Sequence, residues 1–400
     1  MLNKVAIATI DDPFKNGGVG GKHTHIRLLF QALDQMGLKC NIFSPEETYR
    51  FKTWRALRGA KRKLISDGNL RYNEWLNDFV RNLDKRADNI DDSFNVINAQ
   101  DVVAFNILSR KGKNKDIPCV LTLHGYYVDE MISVGSLMPN SPTTNRLLNM
   151  EISAYSEADR IVAVDKRIKE YVIKKVPDKA ESISVIQNAV DVDLFKPSDE
   201  VSYLKSRNKF NIPRKSKVLL CARRLVPKNG VSVAVQAMPE ILKHFPEALL
   251  VIAGDGPLNN ELRRLTSSLG IARNVLFLGS VPHKLMPTLY AATDLVLVPS
   301  IHSVNVEEAT SITMLEGMSA GKPLIASSIG GIKEVIKHGE NGLLTKEGDC
   351  HQLADSCVDL LMDESRRIFI GTRARDYVIK NHSHFDHARK FIIEYEKVCN

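Results

Sequence analysis

Two glutamates eight residues apart, Glu308 and Glu316, lie in EATSITMLE, just ahead of GMSAGKP. An ionised carboxylate accepts two hydrogen bonds side by side, which suits the vicinal hydroxyls of a sugar or a ribose. Residues 310–319 read as a helix, with Glu316 inside it and Glu308 in the loop before it. Thr310, Ser311 and Ile312 at its start would present the backbone N–H groups that a helix leaves unbonded. Taken alone, the pair reads rather as a capping acid and a surface glutamate. A second set is basic. In ARRLVPKNG (222–230), Arg224 can fork onto phosphate oxygens and Lys228 acts as a point charge. A third set is glycine: Gly17, Gly18, Gly20 and Gly21 separate the first strand from its helix, where backbone N–H groups and the helix dipole favour a phosphate. A surface loop is the plain alternative. GVGGKH satisfies only half of GxGxxG and sits too far beyond the strand for a dinucleotide turn. GDGPLNNEL (254–262) and SSIGGIKEVIKHGENGLL (327–344) add glycine loops after later strands, so one extended polar ligand is expected.

Such loops need strands to hold them. KVAIATI (4–10), CNIFS (40–44), FNVINAQ (94–100), CVLTLHG (119–125), RIVAVD (160–165) and SISVIQNAV (182–190) are β-branched runs, and HTHIRLLFQALDQMG (23–37) is an amphipathic helix between the first two. A polar stretch with two prolines, 195–216, interrupts the series. KVLLCAR (217–223), ALLVIAG (248–254), NVLFLG (274–279), DLVLVP (294–299) and KPLIAS (322–327) resume it. Strands alternating with helices predict parallel βαβ units, hence an α/β chain of two tandem halves with ligand loops beyond the strand C-termini.

Composition narrows the partners. With 44% apolar and 26% charged residues the chain reads as globular, and no apolar run suits a bilayer crossing. The N-terminus lacks the apolar stretch of a secretory signal, and the six cysteines are scattered without a CxxC, so a reducing cytoplasmic setting is expected. A formal charge of +8 asks for a polyanion: nucleotide-sugar phosphates and anionic lipid fit, whereas nucleic acid has no supporting motif. Seven basic residues and no acid fall between Arg50 and Lys63, with Phe51, Trp54, Leu57, Leu64 and Ile65 interleaved at near-helical spacing. The 50–65 segment reads either as a helix lying on an anionic membrane or as one packed by its apolar stripe. Asp191-Val192-Asp193 reads as a turn rather than a metal motif, and His382, His384 and His387 as packing or surface residues, so no metal is expected.

GGVGGKHTHIRLL, TLHG, NAVDVDLF, RRLVPKNG, VIAGDGP, EATSITMLE and IGGIKEVIKHGENGLL, in that order, resemble the family-4 retaining glycosyltransferases of the GT-B fold over nearly the whole chain. The resemblance implies two facing Rossmann-like domains with a cleft between them, here 1–195 together with a crossover helix in 382–400, and 196–381 for the nucleotide-sugar donor. It implies no cofactor and no obligatory metal. Glu316 would bind the ribose hydroxyls and Glu308 the donor sugar, with Gly254, Asp255, Val281, Thr310, Ser311, Ile312 and Leu315 around them. Arg224 and Lys228 would stabilise the diphosphate leaving group, Gly17 and Gly18 would close over the phosphate, and His124 would lie at the reacting sugar. One departure stands out: the family's lysine directly precedes the glycine, where this chain has Asn229. Ser311 replaces a family glycine, and the 300–308 segment is longer than usual, with His302, Ser303 and Asn305 in it.

The activity so implied is transfer of a hexose or N-acetylhexosamine from a nucleotide-diphosphate sugar, UDP-linked by preference, to a hydroxyl acceptor. Departure leaves charge on the β-phosphate oxygen, which preorganised cations and helix N-termini stabilise in a dry cleft. The family's retention of configuration implies attack from the leaving group's own face. The rival readings are a GT-B phosphorylase, a sugar-nucleotide epimerase and a catalytically silent nucleotide-sugar-binding subunit. Donor base, acceptor and oligomeric state are not legible.

Overall fold

A computed structural model of the chain describes residues 2–14, 20–45, 68–133, 136–302 and 308–399. These fall into two compact units: 1–187 with 387–400, and 188–386.

Unit 1 carries six parallel strands among the described residues: β1 (Lys4–Ala8), β2 (Lys39–Phe43), β3 (Val96–Ala99), β4 (Cys119–Leu123), β5 (Arg160–Ala163) and β6 (Ile183–Val185), ordered β2-β1-β3-β4-β5-β6. Every residue of β3 and β4 is buried, as expected of strands covered on both faces. The covering helices are α1 (Gly21–Gln35), α2 (Gly68–Ala87), α3 (Val102–Lys113), α4 (Tyr127–Ser133), α5 (Pro142–Glu157) and α6 (Lys166–Lys175). Local chemistry sets their starts. Asp101 accepts the Ala104 N–H at 2.8 Å and Asp165 that of Ile168 at 2.8 Å, while Ser141 caps α5 with Pro142 in its first turn.

Unit 2 holds β7 (Val218–Cys221), β8 (Leu249–Ala253), β9 (Val275–Gly279), β10 (Leu295–Val298), β11 (Leu324–Ser327) and β12 (Leu343–Thr345), ordered β12-β11-β10-β7-β8-β9 and all parallel. Around them lie α7 (Glu200–Lys209), α8 (Val231–His244), α9 (Asn259–Ser268), α10 (Met286–Ala291), α11 (Ile312–Ser319), α12 (Ile332–Val335), α13 (Cys350–Met362) and α14 (Glu364–His382). Side chains alternate across the sheet: Leu219, Cys221, Leu295 and Leu297 enter one core, while Val218, Leu220, Val296 and Val298 enter the other. The order is that of a doubly wound Rossmann sheet, and that of unit 1 is flavodoxin-like with one added strand.

The final helix, α15 (His384–Cys399), passes into unit 1. There the Asn98 amide donates to Tyr395 Oη at 2.6 Å, and Arg160 pairs with the buried Glu394 at 2.7 Å. The division falls after Gln187 rather than Phe195, and the return at 387 rather than 382. Residues 188–195 are tied to unit 2: Asn188 donates to the Thr310 carbonyl at 2.8 Å, Ser319 to that of Phe195 at 2.6 Å, and Val190 pairs with Ser383. The β6 strand ends at Val185, earlier than expected, for the same reason.

Candidate functional site

In doubly wound sheets ligands bind beyond the strand C-termini, where the strand order reverses. In unit 2 that place lies between β7 and β10. The loops leaving these two strands meet on a guanidinium that the sequence reading passed over. Arg223, only 6% exposed, donates from Nη1 to Ser311 Oγ at 2.6 Å. Its Nη2 lies 2.7 Å from Asn229 Oδ1, 2.9 Å from Glu308 Oε2 and 3.0 Å from Ser300 Oγ. Asn229 in turn donates to the Arg224 carbonyl at 2.7 Å. Glu308, expected to face a ligand, is thus half-buried and ion-paired with Arg223. Its backbone is held as well, since its carbonyl accepts from Gly331 N at 2.9 Å. Gly331 has no room for a side chain there, because a Cβ would lie 2.8 Å from the Ala309 carbonyl carbon.

The predicted helix 310–319 begins two residues late. Ser311 is the N-cap, accepting from Met314 N, and the helix proper is α11. Glu316 projects from it, 5% exposed, with Oε2 accepting the Tyr290 hydroxyl at 3.0 Å and Oε1 lying 3.3 Å from His283 Nε2. Burial and then the Glu316 carboxylate raise the Tyr290 pKa well above its ordinary value, so the phenol stays a donor. Tyr290 and His283 were not singled out from the sequence. Thr310 is 2% exposed, and its Oγ1 has no partner among the described residues. Ile312 is half-buried at the helix start. Leu315 corrects the expectation: its side chain is fully buried in the core and its N–H bonds to the Ser311 carbonyl, so neither reaches a ligand.

The remaining residues of this half stand around the same strand ends. Arg224 is exposed, and Lys228 is half-buried with its carbonyl accepting from Ile301 N at 2.9 Å. Gly254 lies so close to the β7 exit that a Cβ would come within 2.0 Å of the Arg223 carbonyl oxygen. Asp255 is exposed and accepts from its neighbours Gly256 N and Asn259 Nδ2. Val281 packs partly buried against the core. His302 is tied to Glu347 through ring and backbone. Ser303 and Asn305 lie outside the described residues.

Unit 1 reverses its strand order between β1 and β3, and a charged cluster sits in the loops after them. Lys22 on α1 is ion-paired with Asp11 and lies 3.5 Å from Asp101, while His23 Nε2 is 2.8 Å from Asp11. Burial would raise the Asp11 pKa, but the His23 hydrogen bond and the Lys22 charge outweigh it and hold the carboxyl well below its usual range. For Lys22, burial is opposed by Asp101 and Asp11, and the net shift is upward. None of Lys22, Asp11, Asp101 and His23 was predicted. His124, which was, is half-buried with Nε2 2.9 Å from Gln100 Oε1. The Gln100 amide donates to Asn98 Oδ1 at 3.1 Å, which orients its oxygen towards the imidazole and places the proton on Nε2. His25 packs edge-on against His124 at 4.5 Å and against His387 at 4.7 Å. Burial and then His25 hold the His124 pKa well below its ordinary value, so the ring is neutral at pH 7. Gly17, Gly18 and the 50–65 segment lie outside the described residues.

His382, His384 and His387 are all buried, so the surface alternative falls. Asp191, Asp193 and His384 bring potential ligand atoms within 4.8 Å of one another. Asp191 Oδ1 already accepts the Asp193 and Leu194 N–H groups at 3.0 and 2.9 Å, closing the turn that leads into unit 2. Among the described residues no helix is long and apolar enough to cross a membrane.

Residues 203–377 match the family of glycosyl transferases group 1, and residues 19–194 match Glycosyltransferase Family 4. The chain is 32% identical over 201 residues to a GDP-mannose-dependent alpha-(1-6)-phosphatidylinositol monomannoside mannosyltransferase of Mycobacterium tuberculosis, half of this chain and 52% of that one. It thus spans about half the length of that relative. An N-acetyl-alpha-D-glucosaminyl L-malate synthase of Bacillus anthracis is 28% identical over 292 residues, covering 73% of this chain and 70% of the relative. The crystal structure of Anabaena HepE in complex with UDP shares the fold over 99% of this chain and all of its own, at TM-score 0.71 and 19% identity. The two parallel six-stranded sheets are thus those of the GT-B fold.

Proposed function

This chain belongs to the glycosyltransferases of group 1 and family 4, and on that premise we propose that it transfers a hexose or N-acetylhexosamine from a nucleotide-diphosphate sugar to a hydroxyl acceptor with retention of configuration. One observation carries the reading: the buried Arg223 guanidinium, the Glu308 carboxylate and the N-cap of α11 converge at the strand-order reversal of unit 2, with the buried Glu316 on the same helix. Glu316 is the acceptor for the ribose hydroxyls, oriented by Tyr290 and His283. Glu308 takes hydroxyls of the donor sugar. Cations at the β7 exit, with the exposed Arg224 among them, bear the charge that develops on the leaving diphosphate. The departing phosphate itself removes the acceptor's proton, so no metal is required. His124, neutral in its pocket, serves the reacting sugar as a hydrogen-bonding group rather than as a charged acid.

A UDP-sugar is the donor we favour, and the mannosyltransferase relative makes GDP-mannose the one to weigh against it. Acceptors of the relatives are a phosphatidylinositol monomannoside and malate, so a small polar or lipid-linked hydroxyl compound is the class to search. We propose, on its charge alone, that the basic 50–65 segment meets an anionic membrane surface, with packing by its apolar stripe as the alternative; co-sedimentation with vesicles of neutral or anionic lipid separates the two. The deciding experiment is a thermal-shift screen against UDP, GDP, ADP and their sugar conjugates. Binding to the folded state raises the melting temperature with RT ln(1 + [L]/Kd). A shift with one nucleotide series identifies the donor base. A shift with inorganic phosphate or sugar phosphates and none with nucleotides would replace transfer by phosphorolysis.

A further inference from the structure

Arg223 stands one residue before the exposed Arg224 but differs from it in burial and in partners. It is buried, and it is shared by loops from β7 and β10 through Asn229, Ser300, Glu308 and Ser311. Its Nε–H is buried without a partner among the described residues, and one bond from Nη1 leaves a second proton there. An unsatisfied N–H on a buried cation is costly unless a ligand completes it. An anion with several oxygens would do so in the forked geometry that a guanidinium favours. Position 229, where related sequences are expected to carry a lysine, holds a neutral amide whose oxygen is 2.7 Å from the guanidinium. An ammonium in that place would lie against Arg223, and like charges at such a distance repel strongly. A neutral amide at 229 therefore suits a buried cation at 223 better than an ammonium would.

We propose that Arg223, with Asn229 as its neutral neighbour, is the cation that binds the donor's diphosphate in this chain, in place of a lysine at 229. The assignment rests on the donor-binding reading above. It makes Lys228, the nearest lysine in sequence, dispensable for this contact. It also gives Glu308 two duties: holding the guanidinium in the empty site and meeting sugar hydroxyls in the filled one.

The test compares the affinity of a nucleoside diphosphate with that of its parent nucleoside, UDP with uridine and GDP with guanosine, by titration calorimetry. The proteins are wild type, Arg223→Ala, Arg223→Lys, Asn229→Lys and the double variant Arg223→Ala/Asn229→Lys. Arg223→Ala should lose about 10- to 100-fold in diphosphate affinity, the scale of one or two charge-assisted hydrogen bonds. Nucleoside affinity should stay unchanged. Asn229→Lys alone should gain nothing, whereas in the Arg223→Ala background it should restore most of the loss. If Arg223→Ala proves unstable, Arg223→Lys should keep diphosphate affinity within about tenfold of wild type. Asn229→Lys in the wild-type background then decides the matter. Equal losses for nucleoside and diphosphate would make Arg223 a purely structural residue and overturn the proposal. So would a gain from Asn229→Lys in the presence of Arg223. A wild-type protein that binds none of UDP, GDP and ADP refutes the donor reading itself, which separates the two failures.

Discussion

Replacing Glu316 by Gln perturbs the proposed ribose contact while leaving its shape in place. The carboxylate is buried, with Tyr290 donating at 3.0 Å and His283 at 3.3 Å, so the side chain is held on both oxygens. Tyr290 also reaches the Thr313 carbonyl at 3.1 Å, so its O–H keeps an acceptor in the variant. The folded protein therefore loses little. A ligand loses more, because a hydrogen bond to a charged acceptor contributes about 1.5–3 kcal/mol against about 0.5–1.5 for a neutral one. Over two ribose hydroxyls the difference is roughly 2–3 kcal/mol, or about 30- to 150-fold in Kd. Calorimetry with the preferred nucleoside diphosphate and its 2′,3′-dideoxy analogue isolates that contact. The preference of wild type for the ribose form over the dideoxy analogue should exceed that of Glu316→Gln by this factor. A variant that still prefers the ribose form as strongly as wild type would refute the assignment.

Other expected outcomes are independent of one another. Arg224→Ala should slow single-turnover transfer by about 100-fold with little change in donor affinity, since a contact that strengthens only in the transition state acts on the chemical step. Gly230 has a φ of 61° and a Cβ there would lie 1.7 Å from the Pro299 carbonyl oxygen. Gly230→Ala should cost about 2–5 kcal/mol in denaturant unfolding, from left-handed strain and overpacking together. Burial raises Glu151 to a pKa of about 7. The folded state then binds the proton more tightly than the unfolded chain, so stability contributed by this group is full below about pH 4.5 and is lost as pH rises through about 7. Glu151→Gln should flatten that part of the stability–pH profile, measured by thermal melts between pH 4 and 9.

The strands were legible because parallel strands buried on both faces read as unbroken apolar runs. KVAIATI, CVLTLHG and DLVLVP each mark one, although the runs extend a residue or two beyond the last ladder bond. The exception is β12, three residues after an Asn-Gly turn, too short to show a period. The place of Glu316 inside a helix was legible from the sequence. Arg223 was not. In the string ARR both arginines look alike, and only Ser300, Glu308 and Ser311, 77 to 88 residues away, make one of them buried. The Asp11–Lys22–Asp101 cluster was hidden for the same reason, its two carboxylates lying after different strands. Leu315 was misread because helical spacing says which residues share a face, not which face the core takes.

The two units differ in when they can be finished. Unit 2 is one continuous run, 188–386, and every group in its core is present once that run has left the ribosome. Unit 1 begins earlier but waits longer, because the buried amide of Asn98 bonds to Tyr395 and Arg160 pairs with Glu394. Until α15 arrives, those polar groups and the Phe391 pocket beside His25 stay open to water. The order of synthesis is thus reversed in the order of completion: the half made first is the half closed last.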